Sequence, residues 1–178
     1  MAIGDRTTLR EYVTVNSGTA EGECTSVGSD CLIMAYCHVA HSCKVGDRVI
    51  IANGGTLAGD VVVEDDVGLA GYTGVHQFVR IGRMAYVGAC TKVVKDVPPY
   101  MLVDGTPAEI HGPNTIGLQR RGVNPDVRSS LKQAHRILYR SGLSTSQALE
   151  KMEQEIEKCA ELDHMIEFIR ASERGIMK

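Results

Sequence analysis

The chain has 178 residues and a formal net charge of −3 at pH 7. This length allows one or two compact domains, and so small a net charge points to neither a nucleic acid nor a membrane surface as partner. No apolar run approaches the roughly 20 residues of a membrane-spanning helix, and the charged start lacks the apolar centre of a signal peptide. We therefore expect a cytoplasmic protein without stable membrane insertion.

A six-residue period runs through the first half of the chain. Every sixth residue is a branched aliphatic one, and the residue four positions later is never larger than valine. The period of six fits neither an α-helix nor an ordinary strand, but it fits three short strands that form one coil of a parallel β-helix. The predicted inward aliphatic residues are Val27, Ile33, Val39, Val45, Ile51, Leu57, Val63, Leu69, Val75, Ile81, Val87 and Val93.

Two details refine this prediction. Residues 3 to 15 hold the same phase, and residues 16 to 26 interrupt it as a loop. Glycines and polar residues are expected at the corners, where unusual backbone angles are needed. Cys31, Cys37 and Cys43 occupy the small inward position on three successive faces, so we expect buried, inert thiols. The chain has no Cys-x-x-Cys spacing, so we do not expect these cysteines to form a metal site.

The repeat ends at Pro98 and Pro99, because proline cannot continue a hydrogen-bonded ladder. A less regular stretch follows to about residue 122. Three helical segments are then predicted, over residues 124–142, 144–162 and 163–175, with capping residues at their starts. The sequence therefore predicts a β-helix over residues 1–100 and a small α-helical domain over residues 101–178.

The coil period also predicts what surrounds the histidines of the run HVAHSC. Eighteen residues after His41 comes Gly59, and eighteen further comes Gln77. A column of polar turn residues, which also includes Asp60 and His76, is therefore expected along one outer edge. Titratable groups that converge on a groove suggest a functional site. A solvated turn is the alternative, and the spacing alone leaves both open.

Six motifs connect the chain to one enzyme family. They are HVAHSC, NGGTLAGD, GVHQF, VKDVPPY, GLQRRG and RILYRSG, and they occur in that family's order and spacing. From about residue 3 to its end the chain resembles the acyl carrier protein-dependent UDP-N-acetylglucosamine O-acyltransferases, which begin lipid A synthesis. The resemblance implies a left-handed β-helix, an exception to the usual crossover rule. It also implies a homotrimer with each active site between two prisms, and neither a cofactor nor a metal ion.

The resemblance also implies roles for individual residues. His41 matches the general base that takes the proton of the glucosamine 3-hydroxyl, a role that suits an imidazole at neutral pH. Gly59 matches the residue whose backbone N–H stabilises the developing oxyanion. The residues matched to substrate binding are His38, Asp60, His76 and Gln77 around the sugar and acyl chain, Asn114, Arg120 and Arg121 around the uridine and phosphates, and Ala89 at the end of the acyl tail.

The sequence departs from the family pattern in several places. Ser42 stands where an acidic residue commonly follows the base, and Asp60 stands where a histidine often follows the oxyanion glycine. Ala89 is one methyl group larger than the usual glycine, so a shorter acyl chain is expected. The family has further coils ahead of the matched region, with a loop whose Asp and Lys contact substrates. No such loop occurs here, which suggests either a truncated form or a naturally short relative.

A cationic stripe is predicted on the first long helix. Arg128, Lys132, Arg136 and Arg140 recur every four residues and so share one helix face. A solvated face is one interpretation of the stripe, and a docking surface for an acidic protein is the other. Acyl carrier protein is strongly acidic and serves the resembling family as acyl donor, so we expect it to dock here.

The predicted function is transfer of a (3-hydroxy)acyl chain from acyl carrier protein to the glucosamine 3-position of UDP-N-acetylglucosamine, the first step of lipid A synthesis. Alternatives are a carbonic-anhydrase-like zinc enzyme using His38, His41 and His76, a sugar O-acetyltransferase using acetyl-CoA, and an inactive β-helix that only assembles or binds. The sequence does not determine the acyl length, its 3-hydroxylation, or whether the acceptor sugar carries a 3-hydroxyl or a 3-amino group.

Overall fold

The computed structural model describes all residues from Met1 to Lys178, and a triangular prism of stacked coils forms its N-terminal part. Face A contains β1 (Ala2–Ile3), β4 (Ser26–Val27), β7 (Lys44–Val45), β10 (Val62–Val63) and β13 (Arg80–Ile81). Face B contains β2 (Thr8–Leu9), β5 (Leu32–Ile33), β8 (Ile50–Ile51), β11 (Gly68–Leu69) and β14 (Tyr86–Val87). Face C contains β3 (Thr14–Val15), β6 (His38–Val39), β9 (Thr56–Leu57), β12 (Gly74–Val75) and β15 (Lys92–Val93).

Each strand pairs in parallel with the strand one coil further along. Val63, for example, pairs with Val45 on one side and with Ile81 on the other, so the step is eighteen residues. The prediction of a parallel β-helix is therefore confirmed. Across the predicted loop the step rises to twenty-four, because Ile3 pairs with Val27 and the intervening residues leave the prism.

The interior of the prism is filled by the residues that the period predicts. All twelve aliphatic positions from Val27 to Val93 are between 0% and 4% exposed. Burial of each such side chain stabilises the fold by about 1.5–3 kcal/mol. Cys31, Cys37 and Cys43 are also buried and form no disulfide. Burial raises the pKa of all three thiols, which agrees with the inert role predicted for them.

Glycine serves a second purpose besides the expected one. The corner residues with left-handed backbone angles include the predicted glycine and polar residues, such as Gly54 at φ 70° and Asp66 at φ 62°, but also Phe78 at φ 64°. Glycine also occurs where successive coils approach closely. A Cβ on Gly46 would lie 2.4 Å from Asp65 Oδ1, and one on Gly82 would lie 2.4 Å from the backbone nitrogen of Pro99. A larger residue would therefore not fit at Gly46 or Gly82 without a shift of the neighbouring coil.

The C-terminal part begins as an extension of face B. Strand β16 (Met101–Asp104) pairs in parallel with β14, and β17 (Glu109–Pro113) pairs with β16 in antiparallel direction. The predicted division at residue 100 thus falls inside a continuing sheet, because Met101 and the residues after it resume the ladder beyond the two prolines. The division into two domains remains a prediction.

Four helices complete the chain. They are α1 (Thr115–Arg120), α2 (Pro125–Arg140), α3 (Thr145–Glu155) and α4 (Ala160–Arg170). The short helix α1 was not predicted, whereas α2 matches its prediction, with an Asn124 cap at its start and Gly142 beyond its end. Helix α3 ends earlier than predicted, and α4 begins at Ala160. None of the four has both the length and the apolar character that a bilayer crossing requires.

The C-terminal tail is fixed to the prism by Asp96, which is 1% exposed. Its carboxylate accepts hydrogen bonds from the Arg80 backbone N–H (2.8 Å) and from Ser172 Oγ (2.7 Å). The backbone of Asp96 also pairs with the tail at Gly175 and Met177. In addition, the Arg80 guanidinium lies 4.4 Å from the centre of the Phe168 ring in α4. One buried carboxylate therefore connects the last coil to the helices.

Asp96→Ala should destabilise the protein by about 1–3 kcal/mol, because it leaves the Arg80 N–H and the Ser172 hydroxyl without their acceptor. Urea unfolding measures this loss. The matched control is Lys95→Ala, at the exposed neighbouring position, which should stay within about 0.5 kcal/mol of the parent chain. Equal stability of the two variants would contradict this role for Asp96.

Candidate active site

The predicted histidine column lies at one corner of the prism, between faces C and A. The turns that carry His41, Gly59 and Gln77 stack directly above one another. The Asp60 N–H donates to the His41 carbonyl (3.1 Å), and the Phe78 N–H donates to the Gly59 carbonyl (3.1 Å). The regular step of eighteen residues therefore brings together the groups that were expected to share this edge.

The His41 ring packs directly on Gly59. A Cβ on Gly59 would lie 2.5 Å from His41 Nε2, so no other residue fits beneath the ring in this position. Gly59 is buried, and its backbone N–H donates no hydrogen bond within the chain. The imidazole is about two-fifths exposed, with a side-chain exposure of 39%. A reachable imidazole and an unpaired backbone donor thus lie side by side.

A carboxylate that the sequence analysis missed stands behind this histidine. Glu23, in the loop of residues 16 to 25, accepts a hydrogen bond of 2.7 Å from Ser42 Oγ. The same oxygen of Glu23 also accepts bonds from the backbone N–H groups of Thr19 and Ala20, each 3.1 Å long. These bonds, led by that from Ser42, lower the pKa of Glu23 to about 2. Glu23 is therefore ionised at neutral pH.

The ionised Glu23 fixes the direction of the next hydrogen bond. Ser42 has one hydroxyl proton, and that proton goes to Glu23, so the Ser42 oxygen can only accept. His41 Nδ1 lies 3.5 Å from this oxygen and 3.9 Å from Asp60 Oδ2, which is also an acceptor. Both neighbours favour a proton on Nδ1. His41 Nε2, the nitrogen beside Gly59, is then the one free to take up a proton.

A sequence signal for Glu23 does exist. Counting one coil back from His41, as opposed to forward, reaches Glu23. The count was not expected to hold there, because residues 16 to 26 break the hydrophobic period. In the structure the loop leaves the prism and still returns its carboxylate to the column, since Ser42 N–H also donates to Thr25 Oγ1 (2.8 Å).

The other predicted histidines lie near the same corner. His38 Nδ1 is 2.7 Å from Thr14 Oγ1 on face C. His76 Nδ1 lies 3.1 Å from the Gln77 carbonyl and 3.4 Å from an Arg174 guanidinium nitrogen of the C-terminal tail. No group of three or more His, Cys, Asp or Glu side chains is arranged to hold a metal ion. Each of the two histidines keeps its Nε2 without a partner in the chain.

The predicted uridine and phosphate residues lie on a different side of the prism. Arg120 lines a cavity of about 470 Å³ together with Tyr86 and Leu102 of face B. Asn114 lines it too, but its side chain already caps α1 at Gly117 (3.1 Å) and donates to the Met84 carbonyl (3.0 Å).

Arg121, in contrast, is bound within the chain. Its guanidinium lies 2.5 Å from Asp66 Oδ1, and Arg48 binds the same carboxylate at 2.8 Å. Asp66 is only 4% exposed, so this pair of arginines holds the end of α1 against the A–B corner. Of the two adjacent arginines, Arg120 is therefore the one with a free guanidinium, and Arg121 positions it.

The predicted end of the acyl tail lies at the third corner. Ala89 is exposed in the turn between faces B and C. The His41 corner, the Arg120 cavity and Ala89 thus lie on three different sides of one prism. A single chain does not bring them into one site.

The cationic stripe follows its prediction except at its first member. Lys132, Arg136 and Arg140 are exposed along a groove of about 600 Å³ beside α3. Arg128 was expected to be exposed, but it is half-buried, and its Nε is enclosed without a hydrogen-bond partner. A step of four residues rotates slowly around a helix, so the first member turns towards the protein.

Comparison with known proteins identifies the family. Residues 96–177 match the model "Udp N-acetylglucosamine O-acyltransferase; Domain 2", and residues 24–59 match the model "Bacterial transferase hexapeptide (six repeats)". The acyl-[acyl-carrier-protein]–UDP-N-acetylglucosamine O-acyltransferase of Anaeromyxobacter dehalogenans is 46% identical over 179 aligned residues, which cover all of this chain and 70% of that protein. The chain belongs to the UDP-N-acetylglucosamine O-acyltransferase family.

Solved structures of UDP-N-acetylglucosamine acyltransferases have the same fold. The Arabidopsis enzyme superposes with a TM-score of 0.95 at 39% identity, over 99% of this chain and 65% of that one. The Francisella novicida enzyme gives 0.92 at 39% identity, over 98% of this chain and 64% of that one. The predicted fold, a left-handed parallel β-helix followed by a small helical part, is confirmed. The chain spans just under two thirds of these two solved acyltransferases.

Glu23→Ala should change the tautomer of His41, because alanine removes the oxygen that accepts the Ser42 hydroxyl proton. Without that acceptor, the Ser42 hydroxyl is free to donate to Nδ1, which moves the imidazole proton to Nε2. The ¹⁵N chemical shifts of the His41 ring, recorded at about pH 8.5 where free imidazole is neutral, report the two tautomers directly. Glu21→Ala, at an exposed residue of the same loop, is the control and should leave the shifts unchanged. Identical shifts in both variants would refute the arrangement proposed for this member of the acyltransferase family.

Proposed function

We propose that this chain transfers an acyl group, in particular a 3-hydroxyacyl group, from an acyl carrier protein thioester to the glucosamine 3-hydroxyl of UDP-N-acetylglucosamine, the first step of lipid A synthesis. The observation that carries the proposal is the packing of the His41 ring on Gly59, whose backbone N–H is free, in a chain that is 46% identical over its full length to an enzyme with this name. The cytoplasmic location expected from the sequence remains a prediction.

In the proposed reaction the sugar hydroxyl oxygen attacks the thioester carbonyl carbon while His41 Nε2 takes up the hydroxyl proton. Negative charge develops on the carbonyl oxygen, where the unpaired Gly59 N–H can stabilise it. The intermediate then expels the thiolate, which receives the proton from His41. Glu23 and Ser42 act indirectly, because they hold the Nδ1 proton and stabilise the imidazolium as it forms.

We further propose that the working unit is a homotrimer. The catalytic corner and the Arg120 cavity lie on opposite sides of one prism, so the two can meet only across an interface between copies. Exposed apolar side chains on the outer surface of the prism, among them Ile50 (44%) and Phe78 (52%), support such a contact. His38, His76 and Gln77 would then meet the sugar nucleotide or acyl chain at the same interface.

His41→Ala should lower the turnover number by at least about 100-fold, the low end for loss of a general base. Arg120→Ala should mainly raise the KM for the UDP-sugar. Mixed trimers of the two impaired variants contain interfaces that pair an intact His41 with an intact Arg120, so at low UDP-sugar concentration co-expression should restore part of the activity that each variant lacks. Turnover near the parent value in His41→Ala would contradict the role of His41 as base. A monomer by light scattering would contradict the homotrimer. No recovery of activity on co-expression would contradict a site shared between two copies.

The acyl carrier protein is proposed to dock along the cationic groove of α2. Lys132, Arg136 and Arg140 form neither a salt bridge nor a side-chain hydrogen bond within the chain, so their charges are available to an acidic partner. Half-buried Arg128 contributes from the edge of this surface. Charges at the rim of an interface mainly raise the association rate, and salt screens them.

Lys132→Glu combined with Arg136→Glu should raise the KM for acyl carrier protein several-fold at low salt and less at high salt. The KM for the UDP-sugar should hardly change. Lys158→Glu, an exposed change between α3 and α4, gives a matched charge reversal outside the groove. Steady-state kinetics at two ionic strengths test this, and equal effects on both substrates would show that α2 is not the docking surface.

A further inference from the structure

A small cavity next to the docking groove is lined almost entirely by basic side chains. It lies between strand β17 and helix α2 and has a volume of about 150 Å³. Its titratable lining residues are His111, Lys132, His135, Arg136 and Arg140, and no carboxylate lines it. Lys132, Arg136 and Arg140 also line the docking groove, so the cavity directly adjoins it.

None of these five side chains is neutralised within the chain. Several other arginines of this protein do bind carboxylates, as Arg48 and Arg121 bind Asp66. Around the cavity, by contrast, no side chain forms a salt bridge or a hydrogen bond. Three permanent cations around one small space repel one another. An anion bound between them would relieve that repulsion and receive hydrogen bonds from several donors at once.

His135 shows that the cavity is more than a patch of surface cations. It is 7% exposed and packs against Tyr139, with ring centres 5.1 Å apart and ring planes tilted by 32°. Arg128 Nε is the only side-chain nitrogen or oxygen fully enclosed without a partner. The ring nitrogens of His135 are therefore not sealed off, and the residue lines the cavity. Burial, with a smaller effect of Arg140, lowers the pKa of His135, so in the empty site it is a neutral hydrogen-bonding group.

We propose that this cavity binds a phosphate ester, and that in the reaction the phosphate is the one in the phosphopantetheine arm of the acyl carrier protein donor. The volume is below the roughly 300–1,000 Å³ of pockets that enclose a whole drug-sized ligand, which suits one small anionic group. The phosphate of that arm lies at the surface of the carrier protein. Its subsite should therefore adjoin the docking groove, as this cavity does. The assignment to the donor rests on the proposed function.

The binding test uses the isolated arm. 4′-Phosphopantetheine and unphosphorylated pantetheine are titrated into the chain, and the ring resonances of His111 and His135 are followed by NMR. Charge-assisted hydrogen bonds predict that the phosphorylated compound binds at least about tenfold more tightly and shifts both rings. Equal binding of the two compounds, or binding that leaves both rings unmoved, would overturn the proposal.

Two variants locate the binding site. His135→Phe keeps a ring against Tyr139 and removes both nitrogens, and His111→Ala changes an exposed residue that carries little of the fold. Each should reduce the preference for the phosphorylated arm by about fivefold or more. Lys151→Gln is the control, because Lys151 lines the groove but not the cavity. It should retain the preference. The proposal is wrong if the two histidine variants retain it as well.

Two further experiments identify which substrate supplies the phosphate and distinguish failure of the phosphate subsite from failure of the proposed function. If UDP-N-acetylglucosamine displaces phosphopantetheine from the histidines, the phosphate belongs to the acceptor and the donor assignment is overturned. If the rings respond to phosphopantetheine as predicted while the chain transfers no acyl group from carrier protein, the proposed function fails and the phosphate subsite stands. If the chain transfers the acyl group from carrier protein but the histidine rings do not respond to phosphopantetheine, the phosphate subsite is overturned and the proposed function stands.

Discussion

The close stacking of one coil on the next is the constraint from which the other features of this protein derive. Each inward aliphatic side chain is covered by the coils on either side, and each corner packs against the corner eighteen residues away. A Cβ on Gly46 or Gly82 would lie within 2.5 Å of the neighbouring coil, so the fold tolerates almost no variation in the spacing. A fixed spacing is also what makes outward residues eighteen apart lie in a column.

The proposed catalytic corner depends on this rigidity. His41 is held against Gly59 by the stacking of their turns and not by a loop of its own, so the imidazole and the free N–H keep their relation without further support. The irregular part of the site is the loop of residues 16 to 25. It brings Glu23 to Ser42, and so supplies a carboxylate in a chain whose residue after the proposed base carries none. Glu23 contacts the Ser42 hydroxyl and not the imidazole itself, so one more hydrogen bond separates it from the ring than would separate a carboxylate bound directly to His41.

Electrostatics divides the arginines and lysines into two groups. Arg48 and Arg121 form salt bridges with buried Asp66 and hold helix α1 in place. Arg120 therefore remains free at the cavity on face B. The cations of α2 have no acidic partner and surround both a groove and a small cavity. Like charges that lie close together repel one another, and the proposed partners, an acidic carrier protein and the phosphate of its arm, have the chemistry to offset that repulsion.

The sequence by itself determined the prism, because the interior of a β-helix requires an inward apolar side chain at every sixth residue. The branched aliphatic residues from Val27 to Val93 follow that period. It also determined the column of His41, Gly59 and Gln77, since residues one coil apart must stack. The sequence could not determine that Glu23 reaches Ser42, that Arg121 is bound by Asp66, or that His111 and His135 line one cavity. Those contacts join segments with no common period, and only the packing of loop, helix and sheet decides which side chains meet.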